Sequence, residues 1–294
     1  MVDLHTHSNA SDGDYSPIQL VQEAKKSGIS AIALTDHDTL AGLESAQNEA
    51  KACNLHFIPG IEINIRWIGE EGISGLGPGG EFHLLGLGIH SPSRAFLEAI
   101  DDLSRRREAR NREILDRMHE LSIEASWEDI LALSGGHSVG RPHFASLLVN
   151  KKIVKNKEQA FARYLTKGKP LFVQKAGLVF AEAAVLIRES GGIPVLAHPM
   201  SLFVAWGRLP DLIKTLKAQG LMGIEAWHPS SKAGACRRLE KLGKSLDLYI
   251  TEGSDFHGSA RPDRKIGHSN RGREISNAIL EAIPELYYAA HPPR

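Results

Sequence analysis

Cysteine is nearly absent from this chain of 294 residues: only Cys53 and Cys236 occur, far apart. Two isolated thiols argue against a disulfide framework and against a thiolate metal site. Net charge is missing too. Lys plus Arg number 35 and Asp plus Glu 35, so no global field draws the protein to long nucleic acid or to an anionic membrane. Aromatic residues make up 6% of the chain and form no stripe on which the bases of a long strand would stack. No apolar run approaches the ~18 residues of a membrane-spanning helix, and a polar residue as early as Asp3 speaks against a signal peptide. The expectation is a reduced, cytoplasmic protein with no membrane partner.

What is present is a globular balance, 42% hydrophobic and 24% charged, with ample material for a core. At this length the chain can be one large α/β domain or one barrel with an insertion. Short apolar runs alternate with helical patterns. Val2-Asp3-Leu4 reads as a brief strand, and Ser16-Pro17 as N-cap and first residue of a helix ending before Gly28, with Ile18, Val21 and Ala24 on its core face. A buried strand over 29–35, a helix over about 39–53 and strands over about 55–65 and 82–89 follow. The Gly-rich stretch 69–80 reads as an exposed loop that is an ornament rather than a gate.

From about 93 to 175 the pattern is helical, with no convincing strand and with a charged run over 105–112. Helix and strand then alternate again: helix at 178–190, strand 193–197, helix 209–219, strand 221–227, helix 232–246, strand 248–253. A further helix is expected over 276–283. Repetition of this kind argues for parallel βαβ units that can close a barrel. The domain reading is therefore a barrel over 1–92 and 176–294, the latter with a C-terminal tail, interrupted by a helical cap over 93–175.

Eight His, Asp and Glu residues sit beside the apolar runs, His5, His7, His37, Glu62, His83, His198, Asp255 and His257, and Asp12 joins them only on the family resemblance that the set carries. In a β/α barrel, side chains just past the strands converge on one open face, and imidazole with carboxylate is the usual ligand set for Mn, Fe and Zn. His5 and His7 are two apart, so on extended backbone both point to one side. Asp12 lies in a polar turn, 9–14, and is the member that sequence supports least. Asp36 and Asp38 are expected in supporting roles, one of them holding an imidazole. His56, His90, His119, His137 and His291 have no partner pattern and read as ordinary residues.

This set resembles the PHP (polymerase and histidinol phosphatase) family of metal-dependent phosphoesterases. His5-Thr6-His7 is similar to its first motif, Thr35-Asp36-His37-Asp38 to the second, Gly60-Ile61-Glu62 with His83 to the third, and His198 with Asp255 and His257 to the last. The resemblance covers 1–92 and about 176–260, and the TrpH/YciV-like branch, which carries a helical insertion, looks nearest. It implies an α/β fold, a distorted seven-stranded (β/α) barrel with a helical insertion domain. It also implies two or three divalent ions, Mn first, Fe or Zn otherwise. One ion would take His5, His7, Glu62 and Asp255; a second would share Glu62 with His83 and His198; a third would take Asp12, His37 and His257.

The expected activity is phosphate-ester hydrolysis by in-line attack of a hydroxide bridging the ions, without a phosphoenzyme. His198, Asp255 and His37 are given catalytic roles, with His198 or His228 at the leaving group. The substrates implied by the branch are the 3′-phosphate of 3′,5′-nucleoside bisphosphates and short 5′-phosphorylated oligoribonucleotides. Arg107 and Arg110 are three apart on one helix face. With Arg141, Lys169, His228 and Asp12 they are the candidate substrate contacts. The competing readings are a histidinol-phosphate phosphatase, an exonuclease on long strands, a non-catalytic metal-binding module and a C–N amidohydrolase. The last is disfavoured because no Lys follows an apolar strand to serve as a carboxylated bridge.

Overall fold

The computed structural model describes residues 1–67, 80–134, 138–175 and 177–286. The expectations for 69–79, His137 and His291 lie outside the described residues. Strands β1 (Val2–Asp3), β2 (Ala31–Leu34), β3 (His56–Asn64), β4 (His83–Leu87), β5 (Ile193–Leu196), β6 (Gly223–Trp227) and β7 (Tyr249–Glu252) form one seven-stranded sheet. Each strand pairs with its neighbour in sequence. The two edges, β1 and β7, meet through a single parallel bridge between Thr6 and Phe256. His7 N donates to Phe256 O at 2.9 Å and Asp255 N to His5 O at 2.9 Å. The sheet is thus nearly closed into a barrel, as expected, and the closure brings the two ends of the ligand pattern together.

Alternation of strands and helices predicts parallel neighbours throughout, and β4 departs from this. It runs antiparallel to both β3 and β5, with Gly60 opposite Leu87 and Asn64 opposite His83. A parallel neighbour needs a crossover connection, whereas a reversed strand does not. The reversal has a consequence for the site. The other strands deliver their last residues to the barrel mouth; β4 delivers its first, which is why His83 stands at the start of an apolar run rather than after one.

Helices α1 (Pro17–Lys26) and α2 (Leu43–Ala52) pack on β2, and α7 (Phe180–Glu189), α8 (Leu209–Ala218) and α9 (Ala233–Ser245) cover the second half of the sheet. The start of α1 follows its sequence signal. Ser16 Oγ accepts from Gln19 N at 3.2 Å while the Gln19 side chain accepts from Ser16 N at 2.9 Å, with Pro17 at the first turn. Its buried face is Leu20, Val21 and Ala24, with Ile18 42% exposed rather than in the core. Inside the barrel, Val2, Leu4, Ala33, Leu85, Leu87 and Val195 form an apolar plug, extended by Ile275, Ile283 and Leu286 of the C-terminal segment around α10 (Ala278–Glu281).

Four helices intervene between β4 and α7: α3 (Arg94–Glu120), α4 (Trp127–Leu133), α5 (Arg141–Asn150) and α6 (Lys157–Ala160), the last running into a π turn, Phe161–Leu165. With 27 residues, α3 is about 40 Å long and serves two cores. Phe96, Ile100 and Leu103 pack with the barrel. Ile114, Leu115 and Met118 pack with Phe144, Leu148 and Leu165 in a separate apolar cluster. Between these halves lie Arg107, Arg110 and Asn111, on the stretch of helix that passes the barrel mouth.

Candidate metal centre

Residue parity decides which strand side chains reach the mouth. Ile58 belongs to the interior plug, and Glu62, four residues on, shares its face. Leu85 and Leu87 are interior, so His83 is as well. On β6, Ile224 and Ala226 join the outer core, which turns Glu225 inward. Beyond β7 the backbone must come very close to β1: a Cβ on Gly253 would lie 2.2 Å from the His5 Cβ and 2.8 Å from Glu225 Oε1. Only glycine admits that approach.

All nine expected residues converge. Glu62, 1% exposed, is at the centre. Its Oε2 lies 3.4 Å from His5 Nε2, 3.3 Å from His7 Nε2 and 3.0 Å from His37 Nδ1, and its Oε1 2.9 Å from His83 Nδ1 and 2.8 Å from His198 Nε2. Asp255 Oδ1 is 3.7 Å from His5 Nε2, 3.5 Å from His7 Nε2 and 3.5 Å from His257 Nδ1. Asp12 stands 3.3 Å from His257 Nε2, 3.8 Å from His7 Nδ1 and 3.9 Å from His37 Nε2. Four overlapping groups have ligand atoms mutually within 4.8 Å: His7, Asp12, His37 and His257; His5, His7 and Asp255; His5, Glu62 and His198; His37, Glu62 and His83. His7 joins the first group because its two ring nitrogens face different carboxylates.

Electrostatics and hydrogen bonding both suit cations here. Burial pushes the Glu62 carboxyl up, but His37, His83 and His5 outweigh it and hold the group well below the usual carboxylate range. Asp12 and Asp255 resist the same push of burial, chiefly through His257. Burial pulls His7 down, yet its hydrogen bonds to Asp255 and Glu62 raise it to about 10. For His37 burial prevails and lowers it to about 3. His7 Nδ1, His37 Nδ1, His83 Nε2 and His257 Nε2 are buried and make no aligned hydrogen bond, although carboxylate oxygens lie 3.0 Å from His37 Nδ1 and 3.3 Å from His257 Nε2, a poor arrangement for a ring nitrogen unless it has an ion to bind. Six imidazoles and three carboxylates are a donor set that fits Mn, Fe or Zn. The backbone is strained at two of these positions, His198 (φ 27°) and Asp255 (φ 51°), as is common where a site over-determines conformation.

The imidazoles are aimed from behind, though not by the residues expected. Asp36 accepts from Ser8 N at 2.8 Å, Ser8 Oγ at 2.6 Å and Ser11 Oγ at 2.5 Å, and so fixes the loop that carries Asp12. Asp38 accepts from Asn64 N at 2.8 Å and from Arg107. The orienting carboxylate is Glu225. It accepts from His5 Nδ1 at 2.9 Å and from His198 N at 2.7 Å, leaving His5 Nε2 free to face the cluster. Ser201 Oγ lies 2.7 Å from His198 Nδ1. A signal for Glu225 exists in the sequence: a lone carboxylate in the apolar strand run Ile224-Glu225-Ala226. Glu225→Gln keeps the shape but loses the charge and one acceptor. It is expected to weaken metal binding by about 10–100-fold, measured by calorimetric titration of the stripped protein. Unchanged affinity would make Glu225 a packing residue only.

Beside the cluster, a cleft of about 260 Å³ is lined by Asp12, His37, Arg107, Arg110 and Arg141. Lys169 is not there; it lies exposed in the turn after the π helix, its N–H on Thr166 O at 3.0 Å. Lys175 and Arg261, which sequence reasoning does not single out, line the cleft instead. His228 is 2% exposed and sits behind Asp255, its Nε2 3.2 Å from Oδ2 and its Nδ1 2.6 Å from Ser230 Oγ. That position supports Asp255 rather than touching a ligand. Arg107 is committed to Asp38, His37 O and Ser138 Oγ. Arg141 Nη2 and Lys175 Nζ share Glu81 Oε1, at 2.8 and 3.1 Å. Arg110 is different. It is 8% exposed, its side-chain partner is Asn111 Oδ1 at 2.7 and 3.2 Å, and among the described residues no carboxylate pairs with it. Burial, together with Arg107 and Arg141, lowers it to about 9.

A model of the PHP domain family matches residues 3–176. The chain is 35% identical, over 87% of its own length and 89% of the relative's, to a 5′-3′ exoribonuclease of Haemophilus influenzae. It is 29% identical, over 91% of each chain, to a 3′,5′-nucleoside bisphosphate phosphatase of Chromobacterium violaceum. A solved structure of an amidohydrolase from C. violaceum, with bound sulfate and no metal, has a TM-score of 0.81 at 27% identity over 96% of both chains.

Proposed function

The chain belongs to the PHP domain family and is a metal-dependent phosphoric ester hydrolase; from that premise we propose that it removes the 3′-phosphate of 3′,5′-nucleoside bisphosphates and also cleaves short 5′-phosphorylated RNA. The nine clustered residues hold two or three divalent ions, Mn foremost. The observation that carries the substrate reading is Arg110, a nearly buried guanidinium that, among the described residues, forms no ion pair with a carboxylate and feels only the more distant charge of Asp38, in a cleft that opens on Asp12 and His37. A buried cation is costly until paired, and a second phosphate of the substrate is the partner that suits its fork of donors. Nucleoside bisphosphates and 5′-phosphorylated RNA both carry phosphates on two sides of one ribose, one for the metal cluster and one for this cleft.

Bound ions supply an activated water and neutralise phosphoryl oxygens as charge develops. The chain's own residues do the rest. Arg110, Arg141 and Lys175 orient the substrate through the phosphate that does not react. Arg261 reaches the cleft and lies 3.8 Å from Asp255, which sets a guanidinium beside the reacting phosphate. Glu225 and Ser201 keep His5 and His198 aimed at the cluster, and His228 does the same for Asp255.

Phosphate release by Mn-reconstituted protein tests the reading. The substrates are a 3′,5′-nucleoside bisphosphate, a 5′-phosphorylated short oligoribonucleotide (whose cleavage is followed by nucleotide release) and histidinol phosphate, with Asp255→Asn as control. Turnover of histidinol phosphate alone would move the chain to that substrate, and silence on all three with metal bound would make it a binding module. Arg110→Met is expected to raise KM for the bisphosphate by about 10–100-fold, the range of a charged hydrogen bond, with little effect on an aryl phosphate. Thermal stability should hold or rise, since an unpaired buried charge is gone. Equal losses on the two substrates would sink the assignment.

A further inference from the structure

A second recess, of about 460 Å³, opens beside the cationic cleft. His83 lies in its wall, and it shares Glu81, Arg141, Phe161 and Lys175 with that cleft, so it is continuous with the metal centre. The remainder of its lining has another character. Phe161, Phe172 and Phe203, from three separate segments, face it together. Phe203 is 77% exposed, the most exposed large hydrophobic side chain among the described residues. Neither Phe203 nor Phe172 belongs to a hydrophobic core.

The fold holds Phe203 in place at some cost. Its backbone is left-handed (φ 52°, ψ 34°), an outlier for a bulky residue. Its ring lies against Gly80, where a Cβ would come within 2.6 Å of it. Phe161 opens the π turn, a device that occurs often at functional sites. Arg66 and Lys167 also line the recess, and among the described residues neither is ion-paired with a carboxylate. An exposed ring on a left-handed backbone against Gly80, two more aromatic side chains, and two cations without a carboxylate ion pair among the described residues, all beside the metal cluster, have the composition of a stacking platform rather than of a core.

We propose that this recess is a nucleobase subsite: a base of the substrate stacks on Phe203, flanked by Phe161 and Phe172, with Arg66 and Lys167 beside its phosphate backbone. The inference rests on the nucleotide reading above and names where the base goes. Sequence alone does not reveal it, since the three phenylalanines are too far apart in the chain to make a stripe.

Steady-state kinetics with the Mn-loaded protein test it on three probes: adenosine 3′,5′-bisphosphate, ribose 3,5-bisphosphate, which has no base, and the 5′-phosphorylated dinucleotide pApA. The variant is Phe203→Ala, an exposed position at which folding should survive, with Phe203→Trp as the rescue. Phe203→Ala is expected to raise KM about tenfold for a base-carrying probe, as loss of one stacked base does. It should leave the ribose probe unchanged, and Phe203→Trp should restore the wild-type value. An effect on both adenosine probes places the first base in the recess, and an effect on pApA alone places the second; either supports the subsite. Equal effects on all three probes, or no effect on any, overturn it. No turnover of either adenosine probe by the wild type removes the nucleotide reading and the subsite with it, whereas wild-type turnover with an unchanged Phe203→Ala profile removes the subsite alone.

Discussion

Replacing Glu62 by glutamine is expected to cut phosphate release by about a thousandfold or more. Among the described residues Glu62 is the one carboxylate within 3.4 Å of five imidazoles, and it belongs to two of the four ligand groups. A carboxylate in that position can bridge two ions and hold them in register for one phosphoryl group. Its amide keeps the volume but offers one neutral oxygen. The surrounding His5, His7, His37, His83 and His198 then face a site with less negative charge to retain dications. Several kcal/mol of transition-state stabilisation depend on the ions, and each ~1.4 kcal/mol is a factor of ten in rate. Metal content per chain, measured on the same sample, should fall together with kcat. A variant that keeps both its metal and more than a tenth of its activity would show that Glu62 is not a bridge.

Chelation is expected to lower the melting temperature by about 5–10 °C for each site emptied, and Mn or Zn should restore it. The physical reason lies in the buried nitrogens of His7, His37, His83 and His257 that make no aligned hydrogen bond and in three carboxylates held ionised within the barrel mouth. An ion that binds only the folded state adds about 2.7 kcal/mol at a concentration of 100 times Kd, and a domain of this size gains roughly 2–4 °C per kcal/mol. The fold itself should survive without metal. The apolar plug below the site, from Val2 and Leu4 to Ile283 and Leu286, contains no ligand. Differential scanning fluorimetry with and without chelator decides the matter. A melting curve that ignores both chelator and added metal would mean that the cluster is held together by protons alone.

Eight residues of the candidate site (all but Asp12), the helix start at Ser16-Pro17 and nearly every strand are legible in the amino-acid order, because these signals are local. A strand is an apolar run, a cap is a hydroxyl before a helix, and a ligand in a barrel stands beside a strand end. The features that are not legible there depend on contacts between distant segments. Periodicity carries no direction, so it suggests uniform parallel pairing and hides both the reversal of β4 and the placing of His83 at its start. Asp36 and Asp38, being next to His37, are the natural candidates to support an imidazole. The bond to His5 comes instead from Glu225, a strand away in space and 220 residues away in sequence.

By itself, then, the amino-acid sequence determined the α/β fold class and the residue types of the candidate site, since short-range pattern suffices for these, and through its resemblance to a known family it pointed to the chemistry. Only the tertiary structure decided what surrounds the cluster. It brought Lys175 and Arg261 to the cleft and left Lys169 in an outer turn. It also left Arg110 buried without a carboxylate ion pair among the described residues and brought Phe161, Phe172 and Phe203 to one recess beside the core residue Phe82. The reason is physical: a substrate site is a surface made where the long α3 helix, the π turn and the loop after β5 pass one another. Which side chains meet there is set by packing, not by any period along the chain.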